Sequence, residues 1–153
     1  MGPKYYKYQI LERSWRYQNI RHIKILKKKL IYKSKTCGNV PVTISVNRYA
    51  KNKGLSVELY KYPYKNDDSY FGSITVNLPG GAPKHCAYVD TNKMSGVLPF
   101  LKEYRLAAPL PIVAESGFCT YPLFVFNIEK LREYAPEDVA TYESYMHNDG
   151  SGV

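Results

Sequence analysis

E-S-G-F-C-T-Y-P-L-F-V-F-N, residues 115–127, is the densest apolar run in the chain. Phe118, Tyr121, Phe124 and Phe126 supply most of its aromatic weight, and Gly117 and Pro122 punctuate it. A short run rich in aromatic and β-branched residues reads as a strand entering a sheet core. Just before it, Pro109 and Pro111 interrupt residues 107–115, which read as a crossing segment. Just after it, Leu131 and Tyr134 have helical spacing within 128–134. Pro136 then suits the first turn of a second helix, where Glu137 and Asp138 favour the positive end of the helix dipole. Val139, Tyr142, Tyr145 and Met146 are its expected inner stripe, and residues 147–153 form a flexible tail.

Farther upstream the period is two. Val42, Ile44 and Val46 alternate with Thr43, Ser45 and Asn47, and Leu55, Val57 and Leu59 resume the pattern after a K-N-K-G turn. Residues 63–69 are a polar loop, 70–78 a third strand, 79–83 a Pro/Gly loop and 85–90 a short fourth strand. Residues 96–106 read as a short helix, with Val97, Phe100, Leu101 and Tyr104 on one side. Strands, a helix, one more strand and then helices specify α+β: an antiparallel sheet of about five strands with helices on one face. A basic N-terminal helix or arm, residues 1–35, precedes it. There Ile20, Ile23, Leu26 and Leu30 share helical spacing, and Ser14 is the candidate cap. The turn signal in residues 36–41 marks the boundary with a body spanning 42–146.

The chain has 153 residues, about one domain, and its 44% apolar content excludes wholesale disorder. Sixteen tyrosines suit a half-buried sheet or a binding face. Three cysteines without CxxC spacing argue against a disulfide scaffold and for a reducing, cytoplasmic setting. No apolar run approaches the ~20 residues a membrane span needs, and no secretory signal is recognisable. The net charge of +9 is lopsided. Residues 1–35 carry eleven lysines and arginines against Glu12 alone, whereas residues 36–153 carry eleven against twelve acids. The chain reads as a nearly neutral body with a cationic leader.

S-I-T-V-N-L (73–78), A-Y-V-D-T-N (87–92) and S-G-F-C-T-Y-P (116–122), followed by a Phe-rich strand and a Leu/Tyr helix, resemble a small domain-of-unknown-function family. That family is found in conjugative elements, plasmids and phages of Gram-positive bacteria. The resemblance covers about residues 42–146 and leaves out the leader. It implies an accessory protein of a mobile genetic element, a setting in which many proteins counteract host restriction or CRISPR systems.

No strong catalytic, metal or cofactor motif appears. Cys119 with His85 or His22, and Asp90 as orienting carboxylate, has the residue types of a Cys-His nucleophile, but an aromatic setting favours a packed thiol. His85 and Cys86 are adjacent and would point to opposite faces of a strand, which does not suit one zinc ion. The loop from Leu78 to Lys84 lacks the Gly-Lys-Ser/Thr ending of a phosphate cradle. The leader is the candidate site. Arg13, Arg16, Arg21, Lys24, Lys27, Lys28 and Lys29 suit phosphates, and Trp15 and Tyr17 suit stacking on unpaired bases. An anionic membrane or an acidic protein patch are rival partners for such charge. The expectation is a non-enzymatic, cofactor-free binding protein of anti-defence type, engaging nucleic acid or a nucleoprotein complex rather than a membrane or a small-molecule substrate. A Cys119-dependent enzyme and a purely protein-binding module are the alternatives.

Overall fold

Alternating branched apolar residues make β2 (Gly38–Arg48) and β3 (Leu55–Lys61). Ile44 lies opposite Leu59 and Val46 opposite Val57. One face of the hairpin is therefore continuously apolar, and all four side chains are buried. The structure, a computed structural model, describes residues 27–63 and 67–146. The leader helix expected from Ile20, Ile23 and Leu26, its Ser14 cap and the tail 147–153 lie outside the described residues.

The boundary expected at residues 36–41 is instead a turn inside a sheet. β1 (Leu30–Ser34) pairs antiparallel with β2, from Leu30 opposite Val42 to Ser34 opposite Gly38. Gly38, at φ 74°, supplies left-handed backbone at the tight reversal. Leu30 and Tyr32, assigned by sequence to the arm, are core residues.

The strand expected over 70–78 is divided between two sheets. β4 (Tyr70–Ser73) completes the order β1-β2-β3-β4. β5 (Thr75–Val76) opens a second sheet with β6 (Cys86–Val89), β7 (Ala107–Ser116) and β8 (Cys119–Phe126), in the order β5-β6-β8-β7. Ile74 is the joint. Its N–H donates to the Val57 carbonyl (2.9 Å) and its carbonyl accepts from Asp90 N–H (2.8 Å), so it joins strands of both sheets.

Residues 107–115 are a strand despite their prolines. β7 is an edge, where a missing N–H leaves no ladder bond unmade, and its register slips between Pro109 and Val113. The run 115–127 is likewise not one strand. It ends β7, reverses at Gly117 and Phe118, and returns as β8 with Cys119 opposite Ser116. Gly117 has φ 65°, and a positive φ at the first of two turn residues is the II′ hairpin pattern. Phe118 is consequently at the tip, 109% exposed, and not in the core.

Helices α1 (Val97–Glu103), α2 (Ile128–Tyr134) and α3 (Pro136–Met146) complete the α+β fold. Among the described residues it has eight strands in two sheets where the sequence suggested about five in one. α1 packs against β1 and β7, and α2 and α3 against β2. Val97, Leu101, Leu131, Val139 and Tyr142 join the strands in one core. Tyr145 departs from its expected inner stripe: it is exposed, with the Arg48 guanidinium 4.2 Å from its ring centroid. The Asn127 side chain caps α2 by accepting from Lys130 N–H (3.1 Å).

α1 is pinned to β1. The Tyr32 hydroxyl donates to the Ser95 carbonyl (2.5 Å), and the Tyr104 hydroxyl accepts from Ile31 N–H (2.9 Å). Burial pushes the Tyr32 phenol up to about 12. Gly96 makes the close approach possible: it has φ 86°, and a Cβ there would collide with the Lys33 carbonyl oxygen.

Candidate functional site

β1 covers β2 only as far as Val42, and among the described residues part of the β2 edge beyond it has no strand partner. There the Lys27 ammonium donates to the Ile44 carbonyl (2.9 Å) and pairs with an Asp138 carboxylate oxygen (2.9 Å). The same oxygen accepts from Val46 N–H (2.9 Å). A cation and an anion thus satisfy backbone groups that a longer β1 would have paired. The Lys27 charge is matched within the fold, which sets it apart from the other lysines expected to meet phosphates.

Arg13, Trp15, Arg16, Tyr17, Arg21 and Lys24 lie outside the described residues. Lys28 and Lys29 do not share the fate of Lys27. Both are exposed, and among the described residues no acid pairs with either. The Lys29 ammonium stands 5.6 Å from the centroid of the exposed Tyr62 ring. Tyr62 is held there by its N–H donating to the Pro41 carbonyl (2.9 Å). Lys61 lies opposite Val42, itself opposite Leu30, so it is two strands, about 10 Å, from the start of β1. Lys28, Lys29, Lys61 and Tyr62 therefore gather at one corner. Sequence reasoning missed Lys61 and Tyr62 because the pairing that carries them there spans some thirty residues.

A second surface is of a different kind. A groove of about 830 Å³ runs between α1 and the β7–β8 ribbon. Leu98, Ala107, Pro109, Phe124 and Phe126 give it an apolar lining, and Lys102 and Arg105 stand among its lining residues. Leu98 and Lys102 are four residues apart on α1, the spacing of one helix face. Arg105 follows α1 in left-handed backbone, φ 54°, while Leu106 N–H reaches back to the Leu101 carbonyl (2.9 Å). That is the Schellman arrangement, whose left-handed position glycine normally fills.

The family model of the domain of unknown function DUF4313 matches residues 43–146. The chain belongs to that family. No curated protein and no solved structure matches it. In this DUF4313 member the matched span runs from within β2 to the end of α3. It includes Asp138, Lys61, Tyr62 and the groove, while Lys27, Lys28 and Lys29 precede it.

The thiol–imidazole grouping is not assembled from His85. The His85 carbonyl accepts from Phe126 N–H (2.8 Å), which places His85 at the far end of β8 from Cys119, about 23 Å along the strand. His22 lies outside the described residues. The His85 ring is engaged with the Tyr142 hydroxyl (3.1 Å), and burial first, then Lys84, holds its pKa below the usual histidine value. Asp90 accepts from the backbone N–H groups of Asn92 (3.2 Å) and Lys93 (3.0 Å), a local turn. Desolvation, then the hydrogen-bonded Cys119 and nearby Asp90, push the Tyr121 phenol up. All three cysteines are free thiols. Among the described residues no group of three or more His, Cys, Asp or Glu is placed to hold a metal ion. No helix among them is long and apolar enough to cross a membrane.

Proposed function

We propose that this DUF4313 member is a non-catalytic binding protein for a polyanion, nucleic acid or a nucleoprotein complex. Lys28, Lys29, Lys61 and Tyr62 form the described part of its binding surface. The contrast between Lys27, matched by Asp138, and its neighbours Lys28 and Lys29, which no described acid matches, carries this reading. Unmatched lysines release counterions when they meet phosphates, and an exposed tyrosine gives an unpaired base a surface to stack on. A host nucleoprotein defence complex is the partner class this reading favours, since it offers phosphates and a protein surface together.

The test is the full chain carrying Lys28→Glu, Lys29→Glu and Lys61→Glu, titrated with single- and double-stranded oligonucleotides over a range of salt. Weaker affinity is expected, together with a flatter salt dependence, by about 0.7–0.9 log units for each phosphate left unneutralised. Binding with unchanged affinity and slope would sink the proposal.

A further inference from the structure

The groove and the ribbon beyond it form a second surface, independent of the basic corner. Among the described residues, the large apolar side chains that stand exposed are Leu98, Ile112, Val113, Phe118, Val125 and three tyrosines. Every one that is not a tyrosine therefore lies on α1 or on the β7–β8 ribbon. Val113 is 65% exposed, and the ribbon continues past it to Phe118. The groove is open to solvent, and the remaining exposed apolar residues follow along the β7–β8 ribbon. A small molecule would be enclosed by a cavity; an elongated open surface fits a macromolecule.

Two features narrow the partner. The groove's charged residues are both cations, and neither Lys102 nor Arg105 meets an acid among the described residues. Strand addition along β7 is hindered, because Pro109 and Pro111 lack N–H donors and the register slips between Pro109 and Val113. What remains is a partner that satisfies its own backbone, lays an apolar ridge in a groove and carries acids. We infer that the groove docks an acidic amphipathic helix of a partner protein. Its apolar stripe lies against Leu98, Pro109 and Phe124, and its carboxylates meet Lys102 and Arg105. The left-handed backbone of Arg105 belongs to the same site: an arginine occupies a position that glycine would fill with less strain, and this sets its side chain at the groove.

The probe is a displayed library of helical peptides with a fixed apolar stripe and randomised remaining positions, selected on the full-length protein at physiological ionic strength. Selection is expected to enrich Asp and Glu. The peptide so obtained should bind more than about tenfold more weakly to Leu98→Asp and to the Lys102→Glu, Arg105→Glu double variant. Selection on the double variant should enrich Lys and Arg instead. Arg105→Gly separates the site from the fold. Glycine relieves the left-handed position, so the melting temperature should hold or rise while peptide affinity falls. Enrichment of neutral or basic peptides, or equal binding to all variants, overturns the proposal. So does binding to phosphatidylserine vesicles that Leu98→Asp abolishes, which would assign the groove to a membrane surface. A concentration-dependent dimer that Leu98→Asp abolishes would assign it to a second copy of the chain, and overturns it equally.

Discussion

The β2 edge and the β7–β8 ribbon present the same problem and meet it differently. Each is strand backbone and apolar surface that the sheet alone leaves uncovered. At β2 the fold closes the gap: α2 and α3 cover the face, and Lys27 with Asp138 satisfies the edge. At the ribbon the cover is partial: α1 packs against β7 and the Asn92 side chain donates to the Thr120 carbonyl (3.1 Å). Ile112, Val113 and Phe118 stay in solvent, and proline and a slipped register guard the edge. Apolar character alone does not say which surface is core. What decides is whether the chain returns to cover it, and the exposed ribbon is the surface for which docking is proposed.

Substitutions can break this comparison. The largest effect is expected at Gly96, on the closed side. Gly96→Ala forces an alanine into left-handed backbone and against the Lys33 carbonyl oxygen, so α1 must pull away from β1. A loss of about 2–4 kcal/mol is expected in chemical denaturation. A neutral result would mean that α1 is not pinned as described.

Asp138→Ala should cost about 1–3 kcal/mol, because it strands the Lys27 ammonium and uncaps Val46 N–H together. If the variant melts with the wild type, the β2 edge is not held by that carboxylate.

A smaller effect belongs to pH. His85 is held below its ordinary pKa by burial and by Lys84, with Glu143 opposing, so protonation favours the unfolded chain. Its contribution is fully present above about 6.5, the unfolded value, and is lost as pH falls through that value towards the lower folded one. His85→Gln should flatten that part of the stability–pH profile. A profile with the same acid-side slope would show that other groups set it.

Phe118→Ser should be the quietest change, within about 0.5 kcal/mol, since the ring buries nothing in the described fold. A clear loss of stability would mean that the ribbon tip is covered after all.

Much of the closed side is legible in the sequence, because its signals are local. The period of two in residues 42–46 and 55–59 gives β2 and β3, and Pro136 with Glu137 and Asp138 gives the start of α3. The ribbon is harder to read. Proline breaks a central strand but not an edge strand, and whether residues 107–116 form an edge depends on partners elsewhere in the chain. A glycine inside an apolar run looks like punctuation until the strand is seen to reverse there. The site was legible only in part. Lysine richness marks a basic segment, yet Lys27 and Lys28 look alike until Asp138, 111 residues on, is seen to reach one of them. Lys61 and Tyr62 join that corner through strand pairing, and no local pattern reports it.

The II′ reversal at Gly117 leaves position 118 unusually free. The backbone there is set by the glycine before it and by the Ser116–Cys119 pair that closes the loop, so almost any side chain can be mounted at 118 without reshaping the protein. A label attached there would leave the rest of the molecule undisturbed.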